Sequence, residues 1–464
     1  MIYVILIYLL FTFLLGVLSK KRSQTVHAFH GAKLSVLMCV AAGAGEWMGG
    51  TSTTGVSEYG YLFGISGAWY TIANGIGIFF CALFFAKLYR SLNTPTVPGI
   101  VGHYIGSKAR SVSSAILIFV MVMVGISQMI AIGTLGKILF GLNISVSIIV
   151  LGLAVLIYTL FGGMIAVGYT NTMHLIVMYI GVIVAVIGGL AKVNGFSGLS
   201  TQLPDSYFNI TSIGGVKISS WITASILGAC TAQAGIQPIL AAKDEKVAVK
   251  SSIFIALIVA PFGLLTACLG MVAKVLYPEL TSAKLALPAL MESFSPLLSG
   301  LVMAAILAAI LSTASPIFLS CGTLFTKDIY KRISPDVSDK KELIVSKITT
   351  AVAGLICITG AVLMFNFSAV LDIVYFAYSL RGSLFIVLLF GIYSHKYKIP
   401  EIPAIASMLI TAFVGLFWVS YKSVTGVYPI SKYITETYAS VIAAIITMII
   451  IKIINIKKYQ KEKN

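Results

Sequence analysis

The chain has 464 residues, enough for two or three soluble domains, yet 58% of them are hydrophobic and only 10% charged, against about 25% charged in an ordinary soluble domain. With a mean hydropathy of +1.00, so few charges cannot cover a soluble surface. The alternating ten-residue segments of an outer-membrane barrel are absent, so the reading is an all-α integral membrane protein, because a helix satisfies its own backbone in lipid.

In chain order, thirteen apolar spans can be drawn at the length that crosses a bilayer. A lead span covers 1–18. Ten core spans follow, at 34–58, 61–91, 113–140, 145–167, 170–191, 216–241, 250–276, 296–326, 345–365 and 367–394. Two tail spans cover 399–420 and 435–455, and a basic tail covers 456–464. The lead span has no basic residue before its apolar run and is followed by SKKRSQ, which fits an anchor with its N-terminus outside rather than a cleavable signal.

Thirteen crossings from that start put the C-terminus in the cytoplasm. Of the 32 Lys and Arg residues, 24 then fall on the cytoplasmic side, including Lys20, Lys21, Arg22 and Lys396. Seven fall outside, and Arg381 remains in the membrane. That asymmetry follows the positive-inside rule. It makes the net charge of +17 a topology signal and argues against nucleic-acid binding. The six cysteines all lie in apolar runs without metal or disulfide spacing and read as packed free thiols.

Five core spans (34–191) are followed by five more (216–394). Five is odd, so the second set enters from the opposite side. This 5+5 layout is the inverted repeat of many secondary transporters, and the whole of 1–464 reads as one transporter domain. Within it, the first core span carries AAGAGEWMGGTSTTG, where the Gly49-Gly50 pair followed by Thr51, Ser52, Thr53 and Thr54 predicts a helix break. The sixth carries GACTAQAGIQPILAAKD, where Pro238 lacks a backbone donor and Gln233 and Gln237 lie one turn apart. Paired interruptions at matched positions point to a transporter's binding site. In the eighth, Ala309, Ser312 and Thr313 share one helix face. Their oxygens suit a hard cation, or the hydroxyls simply satisfy carbonyls of their own helix.

Two charges sit at the middle of spans, Glu46 and Arg381. Asp372 is nine residues from Arg381 along one helix, too far to neutralise it. Arg381 therefore needs Glu46, a bound anion or water. Either the two form a permanent pair, or Arg381 meets a substrate carboxylate, which a guanidinium fork suits. Asn74, Gln128, Asn171 and His174 are further polar residues within spans. Such residues commonly join helices, and Gln128 ranks above the others because it lies deep in the third core span.

Three segments, YTLFGGMIAVGYTNTMH (158–174), GIQPILAAKD (235–244) and LSTASPIFLSCGTLFTKDIY (311–330), together resemble the sodium:solute symporter family, whose members have the LeuT-type fold. The resemblance covers nearly the whole chain. It implies a sodium ion between the first and eighth core spans, held by the carbonyls of Ala44, Trp47 and Ala309 and the hydroxyls of Ser312 and Thr313. It also implies a solute site at the two breaks, involving Glu46, Gly50, Thr51, Gln128, Gln233, Gln237 and Arg381. Two departures stand out. Asn171 stands where the family often has Asp, near the sodium exit route. Ser315-Pro316 stands where many members have a polar pair, which argues against a second sodium.

The expectation is thus a sodium-coupled importer of a small organic solute, with a carboxylate as first choice, in the cell membrane and possible as a monomer. A proton-coupled carrier using Glu46 is the nearest alternative, and a membrane sensor or scaffold with a transporter fold is the one from another class. With five histidines (His27, His30, His103, His174 and His395) and no catalytic cluster by spacing, an enzyme is not expected.

Overall fold

A computed structural model describes residues 2–20, 33–365, 370–394 and 398–463. Lys21, Arg22, His27, His30, His395 and Lys396 lie outside the described residues. The surroundings of Lys20, Gly162, Gly163 and Asp372 lie outside the described side chains.

The described chain is helical, apart from one isolated parallel bridge between Leu34 and Ala242. The lead helix α1 (Ile2–Lys20) precedes α2 (Val36–Trp47), which the Ser35 hydroxyl caps at the amide of Met38. The expected span 34–58 is not one rod. Its α-helix stops at Trp47, a π-helical turn covers Thr51–Gly55, and α3 (Val56–Phe63) resumes. The second span is a 3-10 turn (Gly64–Ala68), α4 (Trp69–Phe84) and α5 (Ala86–Ser91), offset at Phe85. A short α6 (Val97–Tyr104), capped by Thr96, leads into α7 (Ser107–Phe140), which Gly141 ends in the left-handed conformation at φ 63°.

The spans read at 145–167 and 170–191 are joined as one helix, α8 (Ile144–Lys192). Its 49 residues would extend about 73 Å at 1.5 Å per residue, more than twice the hydrocarbon thickness. Neither the expected connection at Gly168-Tyr169 nor the Gly162-Gly163 pair interrupts it. A glycine costs a helix only about 1 kcal/mol, less than the unpaired peptide groups that a break in lipid would leave.

After α9 (Gly195–Gln202), the sixth core span is α10 (Gly215–Ala229) and α11 (Gln233–Leu240). The break falls at Cys230–Ala232, and Pro238 sits inside α11 rather than at the interruption. Then come α12 (Glu245–Leu276), started by Asp244 capping the amide of Val247, α13 (Ala286–Glu292) and α14 (Pro296–Phe325). A π-helical turn at Thr326–Tyr330 and α15 (Lys331–Ile333) lead to α16 (Asp339–Met364) and α17 (Val370–Ile392). The tail helices α18 (Glu401–Thr425) and α19 (Glu436–Lys463) run several residues past the expected spans.

Among the described residues, eight helices are long and apolar enough to cross a membrane. In the one built on α14, 83% of the most apolar stretch is buried, against 28% in each tail helix. The eighth core span is therefore the hub, and α18 and α19 lie outside it. Small residues make this possible: α14 packs against α2, α7, α8 and α16, and Ala305 meets Gly181 of α8. Close backbone approach of this kind replaces the hydrophobic effect, which lipid cancels.

At the chain-entry end of α2, Leu34 is bound by two backbone bonds, Leu34 N to Ala241 O (2.8 Å) and Lys243 N to Leu34 O (2.9 Å). The Cys39 thiol adds a bond to the Pro238 carbonyl (3.2 Å). The first half of one broken helix is thus fastened to the second half of the other.

At the end of α14, buried Asp328 accepts from the Thr96 hydroxyl (2.9 Å) and from Arg110 Nε (2.6 Å). Glu342 accepts from Lys331 (3.0 Å) and also pairs with Lys327. Asp328→Asn should lower stability by about 2–3 kcal/mol, below the usual loss for a broken buried pair because the Arg110 side chain is 34% exposed. A fall in the thermal midpoint of the purified protein checks this, and an unchanged midpoint would refute it.

Candidate functional site

The helix break at Met48–Gly50 frees carbonyls inside the bundle, and the hydroxyl run that follows takes most of them. Ser52 donates to Trp47 O (2.8 Å), and Thr53 (3.2 Å) and Thr54 (2.6 Å) donate to Gly50 O. These three side chains serve the break itself. On the donor side, the Gly50 amide is received by Gln128 Oε1 of α7 (2.7 Å). Thr51 is joined to the Tyr70 hydroxyl of α4 (3.0 Å).

The two carbonyls just before the break face α14. Ser312 donates to Gly45 O (3.0 Å) and to Ala309 O (2.9 Å), while Thr313 donates to Gly45 O (2.7 Å) and Glu46 O (3.1 Å). Of the expected ion ligands, Ser312, Thr313 and Ala309 come together. The expected carbonyls of Ala44 and Trp47 flank the two that these hydroxyls bond. Ala44 O accepts the Met48 amide (3.0 Å) and Trp47 O the Ser52 hydroxyl. The carbonyls at the seam are those of Gly45 and Glu46, because the hydroxyls reach the exposed face of the last helical turn.

Asn171 of α8 completes the seam by donating from Nδ2 to Ser312 O (3.1 Å). Gly45 is needed for this approach, since a Cβ there would lie 2.8 Å from Asn171 Nδ2 and 3.1 Å from Ser312 Cβ.

The expected solute residues divide into two groups. Gln233 and Gln237 are engaged elsewhere. Gln233 Oε1 accepts the Val97 amide (2.8 Å), its Nε2 reaches Pro95 O (3.4 Å), and Gln237 Oε1 accepts the Ser320 hydroxyl (3.0 Å). They join α11 to the start of α6 and to α14. Asn74 likewise accepts from Ser225, Ser315 joins Thr159, and His174 Nδ1 joins the Tyr8 hydroxyl of α1.

Glu46, Gln128 and Arg381 behave differently. All three are buried, Arg381 to 1% exposure. Glu46 Oε2, Gln128 Nε2 and Arg381 Nε and Nη1 have no hydrogen-bond partner among the described residues. Glu46 and Arg381 form no ion pair within 4.0 Å there, so the permanent pair considered from the sequence is not formed. Instead the guanidinium lies 3.7 Å over the Tyr378 ring and 5.8 Å from the Trp47 ring. Thr231, in the break between α10 and α11, donates to Arg381 O (2.9 Å), which puts that break beside the arginine. Glu46 Oε2 and Trp47 Nε1 approach α11 at Gly235, where a Cβ would lie 2.9 Å from Oε2.

Tyr70 and Tyr378 were missed from the sequence. An aromatic residue in an apolar span carries no signal of its own, and only packing places these two against the breaks.

The chain matches the sodium:solute symporter family over residues 29–411. It belongs to that family. With its apolar helices, membership makes it a multi-pass membrane protein. A sodium/glucose cotransporter of Vibrio parahaemolyticus is 28% identical over 339 residues, which are 65% of this chain and 62%, under two thirds, of that relative. Among solved structures, the substrate-bound outward-open state of a Na+-coupled sialic acid symporter superposes with a TM-score of 0.78 at 19% identity, over 97% of this chain and 95% of that one. Mhp1, a nucleobase-cation-symport-1 family transporter in a closed conformation, gives 0.58 at 15% identity, over 91% and 94%. These likenesses identify the fold as that of the LeuT-type transporters.

Gly45→Val should separate α2 from α14 and cost about 1–3 kcal/mol by overpacking, read as a lower thermal midpoint. A midpoint equal to that of the unaltered protein would mean the seam is looser than described.

Proposed function

We propose that the protein is a sodium-coupled symporter that imports a small organic carboxylate by alternating access, with its N-terminus outside and its C-terminus in the cytoplasm. One observation carries the reading: hydroxyls of Ser312 and Thr313 meet carbonyls at the broken end of α2, across two helices. Each hydroxyl and each carbonyl has further lone pairs. Rotation of the two hydroxyl hydrogens away from the seam would turn an all-oxygen set toward one monovalent cation.

Sodium is then a transported substrate that joins α2 to α14. The ligands would be the two hydroxyls with Ala309 O and carbonyls of the turn Ala44–Trp47. By holding α2 in place, sodium would also hold Glu46 and the Gly50 amide where the solute binds. Sodium therefore raises solute affinity, and solute must raise sodium affinity by the same factor. Moving α2 away from α14 would dismantle the cation set and release both. The fold family and the 5+5 arrangement read from the sequence support this cycle. The carboxylate rests on Arg381, a buried cation with open donors.

Ser312→Ala combined with Thr313→Ala should abolish sodium-stimulated uptake into proteoliposomes. Uptake that keeps its sodium dependence in this variant, or that follows a pH gradient and ignores sodium in the unaltered protein, would refute sodium coupling. Arg381→Lys should weaken carboxylates by at least about tenfold, one lost charge-assisted hydrogen bond of 1.5–3 kcal/mol, while neutral solutes change little. Equal losses for both would make Arg381 structural.

A further inference from the structure

Glu46 and Arg381 are charges of opposite sign, both inside the bundle, both with open hydrogen-bonding atoms, and not paired with each other among the described residues. They lie close together through Trp47 and Tyr378, whose rings meet edge to face. Arg381 lies against Trp47, the neighbour of Glu46 in the chain. The guanidinium lies 3.7 Å over the Tyr378 ring, and Tyr70 holds Thr51 just beyond the first break. Gln128 offers an open Nε2 from α7, beside the Gly50 amide that its Oε1 holds.

A simple carboxylate placed on Arg381 would take its open donors but leave Glu46 Oε2 without one, because sodium in the seam offers charge and no hydrogen. A neutral sugar would leave the guanidinium without an anion. A solute with an anionic and a cationic end answers both and supplies the donor that Glu46 Oε2 lacks. Resting on the substrate-site reading above, we infer that the transported solute is a zwitterion, its carboxylate on Arg381 and its ammonium on Glu46. An α-amino acid is the smallest such class. Gly235 lets Glu46 and Trp47 pack against α11, because a Cβ there would lie 2.9 Å from Glu46 Oε2 and 2.5 Å from Trp47 Nε1.

The test is a thermal-shift titration of the purified full chain in sodium and in potassium. The probes are L-alanine, L-proline and L-phenylalanine, with propionate and 3-phenylpropionate as deaminated acids, phenethylamine as an amine, and glucose. At least one amino acid should stabilise the protein in sodium, with its deaminated acid and its amine each weaker by about tenfold or more, as expected when a site built for a polar group meets an analogue lacking it. Glu46→Gln should erase the preference for the amino acid over the deaminated acid, and Glu46→Asp should keep most of it. Equal binding of phenylalanine and 3-phenylpropionate, stabilisation by glucose, or no stabilisation by any of the amino acids would overturn the zwitterion while leaving sodium symport standing. Symport itself fails separately, if sodium alone does not stabilise the protein over potassium and the Ser312, Thr313 double variant behaves like the unaltered chain.

Discussion

A peptide group inside a bilayer has no water to bond, and leaving it unpaired costs several kcal/mol. Two of the helices in this protein are broken inside the bundle, so every freed group must find a partner in the protein or in a ligand. That requirement accounts for much of the interior. Ser52, Thr53 and Thr54 bond carbonyls around the first break, Gln128 takes the Gly50 amide, and Thr231 links the second break to the Arg381 carbonyl. Around the Gly45 and Glu46 carbonyls the partners are hydroxyls of another helix, which have lone pairs to spare. The break and the hydroxyl seam with α14 are therefore the same feature seen from its two sides.

The charges obey a stricter form of the constraint. Two unit charges 4 Å apart gain about 4 kcal/mol at an effective dielectric of 20. A cation over an aromatic ring gains about 2 kcal/mol when desolvated. The Tyr378 ring alone thus does not match what a direct pair with Glu46 would give, yet the guanidinium lies on the ring. Held apart in this way, each charge keeps polar atoms without a hydrogen-bond partner among the described residues. The packing that keeps them apart is local and firm: Trp47 and Tyr378 meet edge to face with centroids 6.1 Å apart, and Gly235 removes the side chain that would crowd Glu46.

The two glutamines on α11 show how an equal signal can lead elsewhere. A glutamine in a membrane span must face a partner or a cavity, and the sequence marks Gln233 and Gln237 as strongly as Gln128. Gln233 closes on the turn before α6 and Gln237 on Ser320. They tie the second broken helix to its neighbours, whereas Gln128, Glu46 and Arg381 keep polar atoms without partners among the described residues. The hydroxyls of α14 reach the Gly45 and Glu46 carbonyls, and the carbonyls on either side have donors of their own. Ser52, five residues on from Trp47, takes that carbonyl for itself, and the Met48 amide takes that of Ala44.

Composition and hydropathy are sums over neighbours in the chain, so the membrane class, the position of most spans, the Gly49-Gly50 break and the short roll of buried polar residues could all be read directly. The Ala309, Ser312 and Thr313 face was visible for the same reason, since helical spacing is local. Which partner each polar group takes is not local: Thr313 meets Gly45 across 268 positions and Gln233 meets Val97 across 136. Nor could spacing show that α8 runs on through its glycines, or that the second break falls at Cys230–Ala232 rather than at Pro238. Those outcomes turn on whether distant side chains and backbones come close enough to supply the missing hydrogen bonds, a comparison that exists only once the helices are packed.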